Sequence, residues 1–343
     1  MTGDQGKEAR APWAEAIGLL FAAFLVFTLV LALLSFPVGA YTAFFTTLTP
    51  GVGPATPLPL YFWLGPLPVL LPVMPPFGVV FAAMAAVYLL LFAVAARRGT
   101  GFARALADGA RGRLGAFLSS DLSVAMVSIG FLTSTATAVD AFTEAAGGQI
   151  GALRGSDATI FISTATSPLV EELGFRVCII GLVAVILCLG AQRRSLLGAL
   201  WRPASAYEDR DVRSGEEAVI LVALVASSVA FGLAHVASGS GWEIGKLPEA
   251  AFGGLVLGYL YIRYGLHIAV LTHWGVDYLG SVYSFFGEGT QGIPWGSEPG
   301  YVLQQWVTYD LVYGIGLLGF LLVAYFGARR VLRLGGQGKS SLA

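Results

Sequence analysis

The stretch Ala16-Ile-Gly-Leu-Leu-Phe-Ala-Ala-Phe-Leu-Val-Phe-Thr-Leu-Val-Leu-Ala-Leu-Leu-Ser-Phe36 carries no charge. Wound as a helix at about 1.5 Å per residue, it reaches about 30 Å, the thickness of a bilayer's hydrocarbon core. A short polar lead with Lys7, Arg10 and Glu15 precedes it. The run is too long for the core of a signal peptide, and no small-residue cleavage site follows it. It therefore reads as a retained first span.

Working outward, similar runs recur along the chain. Their limits are Ala16–Phe36, Phe77–Ala96, Leu122–Phe142, Ile160–Leu189, Ala218–Ala237, Leu247–Ile262, Leu266–Phe286 and Trp306–Ala328. They predict an all-α fold, a polytopic membrane bundle of about eight transmembrane helices. Composition agrees: 56% of residues are hydrophobic, 12% are charged, and mean hydropathy is +0.75. A soluble domain carries about twice that share of charge. A net charge of -1 gives no reason to expect nucleic acid as a partner. Membrane lipid is the expected surrounding, and a multi-pass location in the cell membrane is the expected placement.

The basic residues set the orientation. With the N-terminus inside, every Lys and Arg faces the cytoplasm except Arg154, Lys246 and the intramembrane Arg176. The reverse arrangement violates the positive-inside rule almost everywhere, so both termini are expected to be cytoplasmic. The expected division is a cytoplasmic lead over 1–15, a single transmembrane domain over 16–330 and a disordered cytoplasmic tail over 331–343. Pro37–Pro76 is rich in proline and free of charge, so it reads as a long non-cytoplasmic loop or a partly re-entrant segment. Cys178 and Cys188 share one helix about 15 Å apart, beyond disulfide reach.

Charged side chains inside a bilayer are costly and rare unless paired or functional. Glu171, Glu172 and Arg176 lie in the fourth span. Glu172 and Arg176 are four apart and can form an ion pair on one face. Glu171 points about 100° away from that face, lacks the same partner and suits a general acid or base. Phe231 and His235 end the fifth span. A lone His there is more often a structural hydrogen-bonding residue. His273 and Asp277 share a face of the seventh span, as a ligand pair, an imidazole oriented by a carboxylate or a self-satisfied pair. His267 sits at a helix start near Arg263 and is expected to be interfacial. One polar cluster drawn from three helices is more economical than three separate buried defects. In the sixth span Ala250, Gly254 and Gly258 form a stripe of small residues that lets a neighbouring helix approach, with ordinary tight packing as the plainer reading.

In this order on successive spans, Glu171-Glu172-xxx-Arg176, Phe231-xxx-His235 and His273-xxx-Asp277 resemble the CAAX protease and bacteriocin-processing family, also called CPBP or Abi. The likeness runs from about Ser163 to Tyr283. Two departures stand out: Val177 follows Arg176 where many members have Gly, and Asp277 stands where several have Asn.

The resemblance implies an intramembrane endopeptidase, CAAX-prenyl-protease-like, acting on a protein or peptide substrate, prenylated or not. Glu171 would activate a water with help from His235. His273 and Asp277 would serve the oxyanion or ligand side, and Glu172, Arg176 and Phe231 would give structural support. Glu171, His235, His273 and Asp277 could also hold a single Zn2+ as three ligands plus water, although no HExxH helix is present. Two other readings compete: a non-catalytic scaffold or immunity protein of the same family, and a proton-coupled transporter. The chain shows neither the inverted repeat nor the paired broken helices common in transporters.

Overall fold

The computed structural model describes residues 12–190, 195–206, 214–297 and 300–340. Most of the expected lead (1–11), part of the polar loop after the fourth span (191–194 and 207–213) and the end of the expected tail (341–343) lie outside the described residues.

Helix α1 spans Pro12–Phe45 and overruns both expected limits of the first span. Pro37 sits inside it, which a membrane helix tolerates where neighbours re-satisfy the freed backbone. In the turns around that proline, the hydroxyls of Tyr283 and Tyr278 donate to the carbonyls of Leu31 (2.6 Å) and Ser35 (3.3 Å).

The expected loop then folds into a hairpin. Strands β1 (Tyr61–Leu64) and β2 (Leu67–Leu70) pair antiparallel, with Tyr61 opposite Leu70 and Leu64 opposite Leu67. Gly65 turns the chain with φ +58°, a conformation that favours glycine. The bundle is thus helical, with one small two-stranded sheet among the described residues.

The remaining helices are α2 (Phe77–Arg97), α3 (Phe102–Ala110), α4 (Asp121–Ala145), α5 (Asp157–Gly190), α6 (Leu196–Trp201), α7 (Ser214–Ala237) and α8 (Lys246–Arg263). They are followed by the continuous rods α9, residues 266–291, and α10, residues 302–340. The last rod reaches Ser340, through most of the segment expected as a tail.

Among the described residues six helices, α1, α2, α4, α5, α7 and the apolar part of α10, are long and apolar enough to cross a membrane. The other two expected segments are filled by α8 and α9, whose glycines and polar residues dilute their hydropathy. Burying apolar surface gains little between helices already in lipid, so close packing must hold them together. Gly254 lets α8 approach α7 until a Cβ there would lie 2.9 Å from the Ser228 Cα.

Trp274 anchors α9. It is buried, stacks on Phe36 of α1 (5.4 Å between centroids, 11° between planes) and meets Tyr88 (5.3 Å) and Phe92 (5.5 Å) of α2. Fixing Trp274 fixes its neighbour in sequence, His273.

Candidate active site

The site begins in α5, where two departures from regular helix follow one another. Pro168 lies inside the helix, and from Glu172 to Gly181 the coil widens into π-helical turns. A second π-helical stretch, Gly275–Leu279, begins two residues after His273 in α9. Such turns re-aim side chains and leave carbonyls for outside donors, and they often mark functional positions. Two such carbonyls in α5 are satisfied from elsewhere: Gly174 accepts from the Gly65 N–H (3.1 Å) and Phe175 from the Ser227 hydroxyl (2.9 Å).

His273 is the centre of the cluster. Its Nδ1 lies 2.9 Å from Oε1 of Glu172, in hydrogen-bond geometry. Its Nε2 faces two further carboxylates, Oε2 of Glu171 at 3.7 Å and Oδ2 of Asp277 at 3.5 Å. The expected ion pair is present, with Arg176 Nε 3.2 Å from Oε2 of Glu172 and both side chains fully buried. That approach is ionic without being a well-aligned hydrogen bond, and the two Nη atoms meet no hydrogen-bond acceptor among the described residues. The guanidinium lies instead over the ring of Phe231, 4.2 Å from its centroid, as a cation–π contact.

Glu172 therefore joins two partners, the His273 imidazole and the Arg176 guanidinium. The spacing of Glu172 and Arg176 revealed the second contact. The first crosses between helices and leaves no trace in local spacing. Phe231 likewise does more than fill space, because its ring stands edge-on to both His235 (4.6 Å) and His273 (5.7 Å).

His235 is held differently. Its Nδ1 lies 3.0 Å from the carbonyl of Phe231 on its own helix, which directs its Nε2 away from the helix backbone. The structure thus gathers Glu171, Glu172, Arg176, His273 and Asp277 into one contact cluster and sets His235 beside it across the Phe231 ring. Exposure is graded: the side chains of Glu172 and Arg176 are 0% exposed, His273 6%, Glu171 14% and Asp277 32%. The cluster is closed at the Glu172 end and open at the Asp277 end.

Zinc needs three ligands around one point. Among the described residues no three His, Cys, Asp or Glu side chains are arranged to hold a metal ion. Both imidazoles hold Nδ1 on an oxygen, His235 on a carbonyl and His273 on Glu172, which leaves Nε2 as the ring nitrogen turned to the site.

His267, at the start of α9, is fully buried within the protein, with Nε2 2.8 Å from Oδ2 of Asp121 and its ring stacked on Trp201 (5.3 Å, 13°). Asp121 also pairs with Arg98 at 3.3 Å. Trp201, in the short helix after the fourth span, covers this histidine from outside α9.

No curated protein and no solved structure matches the chain. A family model does, over the part that contains this cluster. The six apolar helices and the family match indicate an integral, multi-pass membrane protein. The family implies CAAX-type intramembrane endopeptidase activity on a peptide or protein substrate in a membrane. Residues 156–279 match the type II CAAX prenyl endopeptidase Rce1-like family, the one that the three motifs resemble.

Proposed function

We propose that this chain is an intramembrane endopeptidase in which Glu171 activates a water without a metal ion. The observation that carries the reading is the approach of the Glu171 carboxylate to His273 Nε2, 3.7 Å apart, beside the opening at Asp277. At that separation a single water lying beside the pair can reach both groups. No serine or cysteine nucleophile is paired with a base in this cluster, so water is the natural attacking group.

In this mechanism Glu171 takes a proton from the water as its oxygen attacks the scissile carbonyl carbon. The Nε2 of His235, with Nδ1 donating to the Phe231 carbonyl, accepts the water's other hydrogen and aims it. The carbonyl oxygen becomes an oxyanion, stabilised by a hydrogen on His273 Nε2. Glu172 holds that ring at Nδ1, and Asp277 lies 3.5 Å from Nε2 as a nearby counter-charge. When the C–N bond breaks, the protonated Glu171 returns its proton to the leaving amine, so one water is consumed and an acid and an amine are released.

Eight membrane crossings, with α8 and α9 as the sixth and seventh, both ends in the cytoplasm and one domain over 16–330 complete the reading. A substrate with a prenylated CAAX terminus is the first class to test. Purified protein is offered a quenched peptide library that includes farnesylated CAAX peptides. Cleavage by the parent chain that disappears in Glu171→Gln supports the reading. Undiminished cleavage by that variant ends it.

A further inference from the structure

The hairpin β1–β2 lies outside the residues that match the family, yet it packs against the active-site helix. We infer that Trp63 of this hairpin is a positioning residue for the two site histidines, acting through Phe175 and Phe231. The inference rests on the peptidase reading only for its effect on rate; its effect on the imidazoles stands alone.

The path consists of contacts between neighbouring rings. Trp63 meets Phe175 at 5.7 Å between centroids, and Phe175 meets Phe231 edge-to-face at 5.2 Å and 83°. Phe231 then stands edge-on to His235 at 4.6 Å and to His273 at 5.7 Å. Aromatic pairs prefer such offset and edge geometries, so moving one ring unsettles the next. Arg176 presses on the Phe231 face, leaving that ring little freedom on this side.

The backbone fastens the hairpin to the same place. Gly174 carries no side chain, and a Cβ there would lie 2.4 Å from the Trp63 Cβ and 2.6 Å from its carbonyl oxygen. Only glycine allows this approach. The Gly174 carbonyl also accepts the Gly65 N–H, so the π-helical turn that carries Glu172 is hydrogen-bonded to the hairpin. Trp63 is thus wedged against α5 three residues beyond Glu171, while Tyr61 on the same strand is exposed.

The chain has three histidines, which makes their ring nitrogens separable by 15N NMR in detergent. In Trp63→Ala the signals of His235 and His273 should shift, and that of His267, held by Asp121 and Trp201, should not. With a cleaved peptide, kcat should fall about tenfold to 100-fold with KM within about twofold, because small misplacements of reacting groups cost rates of that order. Trp63→Phe should restore kcat to within about threefold, and Tyr61→Ala should leave it unchanged. If the alanine variant fails to fold, Trp63→Leu keeps apolar bulk while removing the ring, and the same shifts and loss are expected. Unmoved His235 and His273 signals with parental kcat in a folded Trp63 variant overturn the inference. If the parent cleaves no peptide while those signals still move, the peptidase reading fails and the positioning role stands.

Discussion

Glu172 and His273, 101 positions apart in the chain, meet at 2.9 Å with the carboxylate fully buried. The same carboxylate faces Arg176 on its other oxygen. A buried anion that faces two donors is a support on which both site helices depend.

Removing it should cost stability more than chemistry alone would suggest. Glu172→Gln keeps a polar group for His273 but leaves the Arg176 charge buried without a counter-ion. A loss of about 3–5 kcal/mol is expected, from the penalty for an unpaired buried charge. A thermal melt in detergent should show a large drop in midpoint. The double variant Glu172→Gln/Arg176→Met should recover part of it, because the charge itself is gone.

Glu171→Gln should behave in the opposite way. Its side chain is partly exposed and makes no close ion pair, so the melting midpoint should stay near that of the parent. Cleavage should fall by about 10²–10⁴-fold, the range for losing a general base. A rate loss matched by an equal loss of folded protein would contradict the assignment.

His235→Ala should also separate rate from stability. The side chain makes one local hydrogen bond, to its own helix, and truncation should cost about 1 kcal/mol. The cleavage rate should fall at least tenfold if this imidazole aims the water. Measuring kcat and the melting midpoint on the same preparation checks both.

His267→Ala is the matching control. Its hydrogen bond with Asp121 is buried on the histidine side, so a loss of about 1.5–3 kcal/mol is expected. Per folded molecule, kcat/KM should remain that of the parent.

Since the proposed mechanism activates water through Glu171 without a metal ion, prolonged incubation with a chelator followed by its removal should leave the cleavage rate unchanged. Loss of activity restored by added Zn2+ would replace the proposed mechanism with a metal-dependent one.

Much of this molecule was legible in the sequence because lipid imposes strong rules. Long apolar runs gave helices in every expected segment, and the i, i+4 spacing gave the Glu172–Arg176 pair directly. Contacts between distant segments were not legible. The cover over His267 comes from Trp201 and Asp121, which lie far from it in sequence. The hairpin was hidden by its prolines, Pro66 and Pro68, which argue against strands; β2 tolerates Pro68 in a short, two-stranded sheet. Nor does spacing within each helix show that Glu171 of α5 and His273 of α9 lie 3.7 Å apart. Start points drawn from apolar runs missed how far α5 extends toward Asp157, and π-helical turns in both helices alter the simple rise per residue.

The cluster sits near the midpoint of α5, which at 34 residues is about 51 Å long. A substrate that arrives as an intact transmembrane helix would present a carbonyl already engaged within its own backbone. Exposing it means unwinding about one turn in a setting where lost backbone hydrogen bonds cost several kcal/mol each. Frayed ends, extended tails and stretches weakened by glycine or proline avoid most of that cost. Choice among substrates would then follow how readily a segment uncoils as much as which side chains flank the cut.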